Sequence, residues 1–92
     1  MKRGIIMNKA DNVATVLDDV PVRETVASRG LAVPVETVAR EAIPRGHKIA
    51  LADIPAGADI LKYGFPIGYA LTDIPKGAHV HVHNVGSKRT EE

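Results

Sequence analysis

The sequence predicts a mostly β domain, and three observations carry that expectation. Eleven valines and eight isoleucines outnumber five leucines, and β-branched side chains suit a pleated surface but lose rotamers in a helix. Apolar and polar residues alternate with period two in several short runs, the pattern of half-buried strands. A recurring Pro-x-Gly segment also cuts the chain into pieces separated by turns.

The expected strands follow in chain order. The first is Val13-Ala14-Thr15-Val16-Leu17. The segment from Gly30 to Glu36 reads as a loop entering an edge strand, because Pro34 cannot donate to a sheet ladder. Thr37-Val38-Ala39-Arg40 and His47-Lys48-Ile49-Ala50-Leu51 come next. Ala52-Asp53-Ile54 could open a helical turn, but Pro55 and Gly57 cut it short. Ile60-Leu61-Lys62-Tyr63 is followed by a tight bend through Gly64 and Gly68, with Tyr63 and Phe65 expected as the main aromatic fillers of a small core. The last strand expected is Ala78-His79-Val80-His81-Val82-His83.

Four corners share a motif of acid, hydrophobe, Pro, any residue, Gly. Two are complete, Asp53-Ile54-Pro55-Ala56-Gly57 and Asp73-Ile74-Pro75-Lys76-Gly77. Glu41-Ala42-Ile43-Pro44-Arg45-Gly46 is a looser copy, and Asp19-Val20-Pro21-Val22-Arg23 lacks the glycine. Proline fixes φ at the first position of such a turn and glycine supplies the positive φ that follows. Arg23 in the glycine position therefore predicts a differently shaped first corner. The spacing between prolines is 11 residues and then 20, so the copies are corners of one folded unit and not a solenoid of constant period.

Composition excludes several functions. Ninety-two residues suffice for one small domain, which buries only about 60% of the surface its unfolded chain exposes. A net charge of +1, one Phe, two Tyr and no Trp supply neither the basic stripe nor the stacking platform of a nucleic-acid reader. The absence of cysteine removes disulfides, thiolate nucleophiles and Cys-based zinc sites. No apolar run approaches the ~20 residues of a membrane span, and the start, Met1 to Asn8, has no signal-peptide core. A cytoplasmic domain without a membrane partner is expected.

Against this sparse background, three of four histidines fall between residues 79 and 83. A continuous strand would send His79, His81 and His83 to one face and Val80 and Val82 to the core. Neighbours at i and i+2 would stand about 7 Å apart, close enough for two rings to share one ion, whereas His79 and His83 would be about 13 Å apart. The face suits a solvent-exposed strand, a surface for a partner or anionic ligand, or a metal site. The metal reading is weakened because no carboxylate adjoins the triplet in sequence. His47, just after a corner, reads alone as a turn or capping residue. No phosphate-binding loop, serine elbow or dinucleotide fingerprint is present.

Gly46-His47-Lys48-Ile49-Ala50-Leu51, then Ile60-x-Lys62-Tyr63-Gly64-x-Pro66-Ile67-Gly68, then Gly77-x-His79-Val80-His81-Val82-His83-Asn84, resemble in order and spacing the N-terminal SAF domain of the altronate dehydratase family. That family includes galactarate dehydratase and sulfolactate sulfo-lyase, and the resemblance reaches back to Asp11-Asn12-Val13-Ala14. It implies a SAF-type β-clip over residues 11–85, with residues 1–10 an N-terminal extension and 86–92 a polar tail. It further implies a hydro-lyase that dehydrates a sugar acid to a 2-keto-3-deoxy acid, as the small subunit beside a larger catalytic subunit, the isolated chain being inactive. A sulfo-lyase small subunit and a non-catalytic sugar-acid-binding or docking module are the alternatives. Iron(II) or another divalent metal is expected, held mainly by the larger subunit. The resemblance implies His81, His83 and Asn84 as active-site or seam residues, with His47, Lys62, Tyr63 and His79 touching substrate and His81 and His83 available to a metal. Ala78 stands where many relatives carry glutamate, so no role falls to a carboxylate there.

Overall fold

The computed structural model describes residues 1–87, and the part of the expected polar tail over 88–92 lies outside them. Among the described residues there is no helix, hence none long and apolar enough to cross a membrane. The elements are β1 (Lys2–Ile5), β2 (Val13–Val16), β3 (Thr25–Arg29), β4 (Val35–Val38), β5 (Lys48–Ala50), β6 (Asp59–Lys62), β7 (Phe65–Ala70), β8 (His79–Val80) and β9 (Val85–Gly86). The mostly β expectation is borne out. Six strands form a sheet in the order β4-β3-β1-β2-β5-β8, and three form a second in the order β6-β7-β9.

Strands β2, β5 and β6 fall where the alternating runs place them. β4 lies at the sheet edge directly after Pro34, which removes a donor where no neighbour needs one. Four strands, β1, β3, β7 and β9, have no counterpart among the expected runs. β1 lies inside the sheet, antiparallel to β2 and parallel to β3, so the segment expected as an extension supplies a central strand and Ile6 enters the core. Gly4 permits that pairing, since a Cβ there would stand 2.5 Å from Ser28 Oγ. β7 contains Pro66 and Gly68, and its pairing with β6 shifts register between Ile60 and Leu61, a bulge that absorbs the irregularity.

Facing residues of β2 and β5 divide the apolar side chains between two cores. Val13 pairs with Ala50 and Ala14 with Ile49, and successive residues point to opposite faces. Ala14, Val16 and Ile49 join Ile6, Val20, Val26, Ala39 and Ile43 in one cluster. Val13 and Ala50 join Ile54, Ile60, Ala70, Ile74, Ala78 and Val80 in the other. Both are aliphatic. Tyr63 and Phe65, expected as core fillers, are 52% and 70% exposed. The correction follows from the hairpin, whose tip Tyr63-Gly64 extends past the cluster and joins β6 to β7 with φ of 58° and 75°, the positive pair of a type I′ turn.

The four corners pair two by two, through bridges Val20–Ile43 and Ile54–Ile74. In each, the residue three after the proline donates to the proline carbonyl: Glu24 to Pro21, His47 to Pro44, Ala58 to Pro55 and Ala78 to Pro75. Proline thus occupies the residue before the first turning position, and the third residue carries the positive φ of a type II turn. That φ is 86° at Gly46 and Gly57, 87° at Gly77 and 73° at Arg23. The first corner therefore has the shape of the others, and arginine is held in a region that favours glycine. Three corner acids fasten the partner corner: Asp19 accepts from Arg45 N–H, Asp53 from Lys76 N–H and Asp73 from Ala56 N–H.

Candidate functional site

The second and fourth corners deliver β5 and β8 side by side, and this brings the histidines together. Ile49 pairs with His79 and Lys48 with Val80, so the same register sets His47 opposite His81. Their rings stack with centroids 3.8 Å apart and planes 17° from parallel. His79, diagonal to His47, stacks at 5.0 Å and places its Nε2 2.8 Å from His47 Nδ1. One of these nitrogens carries the proton and the other accepts it. One donor nitrogen from each of His47, His79 and His81 lies within 4.8 Å of the other two.

The strand does not continue through His83. Asn84 N–H donates to His81 O in a tight turn, which carries the chain away to β9 in the second sheet. Val82, expected in the core, sits on this turn and is 80% exposed, whereas Val80 is buried as expected. The same turn folds the His83 ring back to 5.0 Å from His79, less than half the separation an extended strand would give. His47, read alone as a turn residue, thus belongs to the cluster.

Asn84 holds the segment in shape. Its Oδ1 accepts from His81 N–H at 3.0 Å and its Nδ2 donates to His79 O at 2.8 Å. Glu41 completes the free edge of β8, its Oε2 accepting from His79 N–H at 2.9 Å. Glu41 is the acid of the second corner, and it leaves the role of the other three corner acids to grip the histidine strand. The sequence offered a hint, since this copy has a longer acid and one extra residue before its proline.

Electrostatics favours the neutral form of His79 and His81. Burial, together with His83 and His47, pushes the His79 pKa down, with Glu41 acting in the opposite sense. Burial, His47, Lys48 and His83 push that of His81 down. Lys48 is half-buried, and burial with the nearby Lys62 lowers its own pKa. Lys48 and His81 line a hollow of about 250 Å³ with Ile67, Val80, Val82 and Val85. Lys48 lies in the first of the three family motifs, but the resemblance implies no role for it.

Lys62 and Tyr63 line a second hollow of about 160 Å³ with Ile5, Met7, Thr15 and Leu17. Lys62 Nζ stands 4.9 Å from the Tyr63 ring centroid. The bend is fixed by buried Asp11, whose carboxylate accepts from the backbone N–H groups of Met7, Asn8, Tyr63 and Gly64. Asn12 adds bonds to Leu61 N–H and Asp59 O. A larger hollow of about 630 Å³ lies between the third and fourth corners, but its acids Asp53 and Asp73 are engaged in holding those corners.

For a divalent metal, neutral imidazoles suit iron, zinc, nickel and copper, and the three donors of His47, His79 and His81 fit such an ion. The short strands, Pro-x-Gly corners and curled sheet define a β-clip domain, here bearing a cluster of imidazoles at one sheet edge. The sequence model of the altronate/galactarate dehydratase SAF domain matches residues 2–88, and the chain belongs to that family. It is 46% identical over 80 residues to altronate dehydratase of Escherichia coli (strain K12), covering 87% of this chain and 15% of that protein. It is 45% identical over 84 residues to altronate dehydratase of Bacillus subtilis (strain 168), covering 91% of this chain and 16% of that protein. The (2R)-sulfolactate sulfo-lyase subunit alpha of Chromohalobacter salexigens is 46% identical over 50 residues, covering 54% of this chain and 53% of that subunit. The match thus spans about a sixth of the length of the dehydratases.

Proposed function

We propose that this chain is the small SAF subunit of an altronate dehydratase-like enzyme, acting in the cytoplasm in hexuronate breakdown. With a larger catalytic subunit it eliminates water from an aldonate to give a 2-keto-3-deoxy acid. The supporting observation is the extent of similarity, 80 and 84 residues for the altronate dehydratases against 50 for the sulfo-lyase subunit. Dehydration needs a base for the proton α to the carboxylate, an electrophile for the enolate and an acid for the departing hydroxide. The electrophile is assigned to a divalent metal, iron(II), held mainly by the larger subunit.

This chain's residues contribute binding and proton handling. His81 and His83 face the substrate at the seam, with Asn84 holding the turn that presents them. In the metal-free chain, the proton between His47 Nδ1 and His79 Nε2 can be passed within the cluster, because the two nitrogens are 2.8 Å apart. Lys62 and Tyr63 bind a more distant part of the sugar acid or the subunit seam.

The test is an altronate dehydration assay of the chain purified with its larger subunit. Activity in the complex and none in the isolated chain is expected. Full activity after changing His79, His81 and His83 together to Ala would remove their role. A sulfo-lyase small subunit is the second reading, favoured by similarity to separate alpha subunits, of which the match covers 53% and 76%. Turnover of sulfolactate and not altronate by the complex would establish it. Sugar-acid binding by a chain with no catalytic partner would instead mark a free-standing module.

A further inference from the structure

We propose that His47, His79 and His81 form a three-imidazole site for a divalent transition-metal ion carried by this chain itself, separate from any metal of a larger subunit. The proposal rests on the cluster's geometry and stands whether or not the chain serves a dehydratase. Its first support is convergence: His47, just before β5, and His79 in β8 are 32 residues apart in sequence, yet with His81 just after β8 their donor atoms all lie within 4.8 Å of one another. Zinc bonds to nitrogen of ~2.0–2.1 Å place tetrahedral ligands about 3.3 Å apart. The His47–His79 pair is already inside that separation, at 2.8 Å.

The bond between those two rings shows how an ion would enter. A lone pair of one ring faces the N–H of the other, and a tautomeric shift of that proton to the donor ring's second nitrogen leaves both rings neutral with two lone pairs directed at the same small volume. A cation in place of the proton satisfies both, and His81 supplies the third ligand. The ring planes lie 11–24° from one another, so coordination requires the rings to splay. Rotation about the terminal ring torsion is soft, and all three side chains are only partly buried. The backbone need not move. His47 ends the second corner's turn, and Glu41 and Asn84 pin the backbone groups of His79 and His81. Three protein ligands leave a further position open to water or an oxygen ligand, the arrangement of catalytic rather than structural zinc sites.

The experiment is titration of the full chain with Co²⁺ and Zn²⁺, read by the visible spectrum of cobalt and by the rise in thermal midpoint. One ion per chain is expected. His47→Ala, His79→Ala and His81→Ala should each weaken binding about tenfold or more, while His83→Ala leaves it unchanged. His47→Phe keeps a ring for the stack but offers no nitrogen. Loss of binding in that variant, with its metal-free unfolding midpoint retained, would identify a lost ligand and not a lost fold. Two results would overturn the proposal. One is the absence of saturable binding. The other is binding that survives His47→Ala but falls with His83→Ala, which would mark a linear histidine tract chelating metal without this geometry.

Discussion

His47 and His81 face each other across the β5–β8 register, ring on ring, with centroids 3.8 Å apart. The contact depends on β8 keeping its pairing one residue beyond its last ladder position, while the turn closed by Asn84 N–H and His81 O begins at the same residue. Each ring should therefore shift the proton resonances of the other. In proton NMR of the full chain, His81→Ala should move the His47 ring protons downfield toward exposed-imidazole values. The corresponding change for His83→Ala should be small at His47. Unmoved His47 resonances in His81→Ala would show that the rings do not stack in solution.

Arg23 occupies the left-handed region at φ 73°, at a cost of about 1–2 kcal/mol for a residue with a Cβ. Arg23→Gly relieves this but adds about 0.5–1 kcal/mol of chain entropy lost on folding. A net gain of up to about 1 kcal/mol is expected by urea unfolding. The reverse changes separate strain from clash. Gly46→Ala meets nothing within 4 Å at φ 86°, whereas an alanine Cβ at position 77 would sit 2.2 Å from Val38 O at φ 87°. Gly77→Ala should therefore cost more than Gly46→Ala, by about 1–3 kcal/mol.

Asp11 gathers four backbone N–H groups from two segments more than 50 residues apart. Asp11→Asn keeps the size but replaces one acceptor oxygen with a donor among donors. Hydrogen bonds to a charged group contribute about 1.5–3 kcal/mol each, and partial replacement by the amide puts the expected loss near 2–4 kcal/mol. Denaturant unfolding reads it. A loss below about 0.5 kcal/mol would show that water replaces these bonds at little cost.

Asp18 is held well below the usual carboxylate range, first by the Arg3 side-chain hydrogen bond and then by the Arg3 backbone N–H. Its folded pKa lies below its unfolded one. The stability it contributes is thus fully present above the unfolded value, about 3.9, and is lost as pH falls through the folded value. Wild type and Asp18→Asn should differ most near neutral pH and low salt, and converge as acid is added below about pH 4. The pair is exposed, so the difference is expected to be small. Equal unfolding midpoints at pH 6 in low salt would remove the contribution.

The strands legible from sequence are those whose side chains declare their faces. Val13 to Val16 is apolar at every position but Thr15 because each face of β2 meets a different core, and Ile49 to Leu51 is apolar for the same reason. β1 was not legible, because Gly4 is defined by a close approach to Ser28, which depends on a strand more than 20 residues away. In β7, Pro66 and Gly68 masked a strand whose irregularity the bulge accommodates. At the site, period two correctly put His79 and His81 together. His47 could not be added without the register between β5 and β8, and that register is set by two corners 31 residues apart. The extended path to His83 failed because Asn84 turns the backbone with its side chain.

Strands β2 and β5 give one face to each aliphatic cluster, so the two clusters share a wall. Melting one side strips the backing from the other, and the domain has no half that can survive alone. Its native-state hydrogen exchange should accordingly have a common ceiling, with amides of Ala14 and Ile49 released only when the whole molecule opens. A fold of this size escapes the frailty of a thin core by making both halves depend on the same two strands, and it mounts the histidine-bearing β8 on one of them.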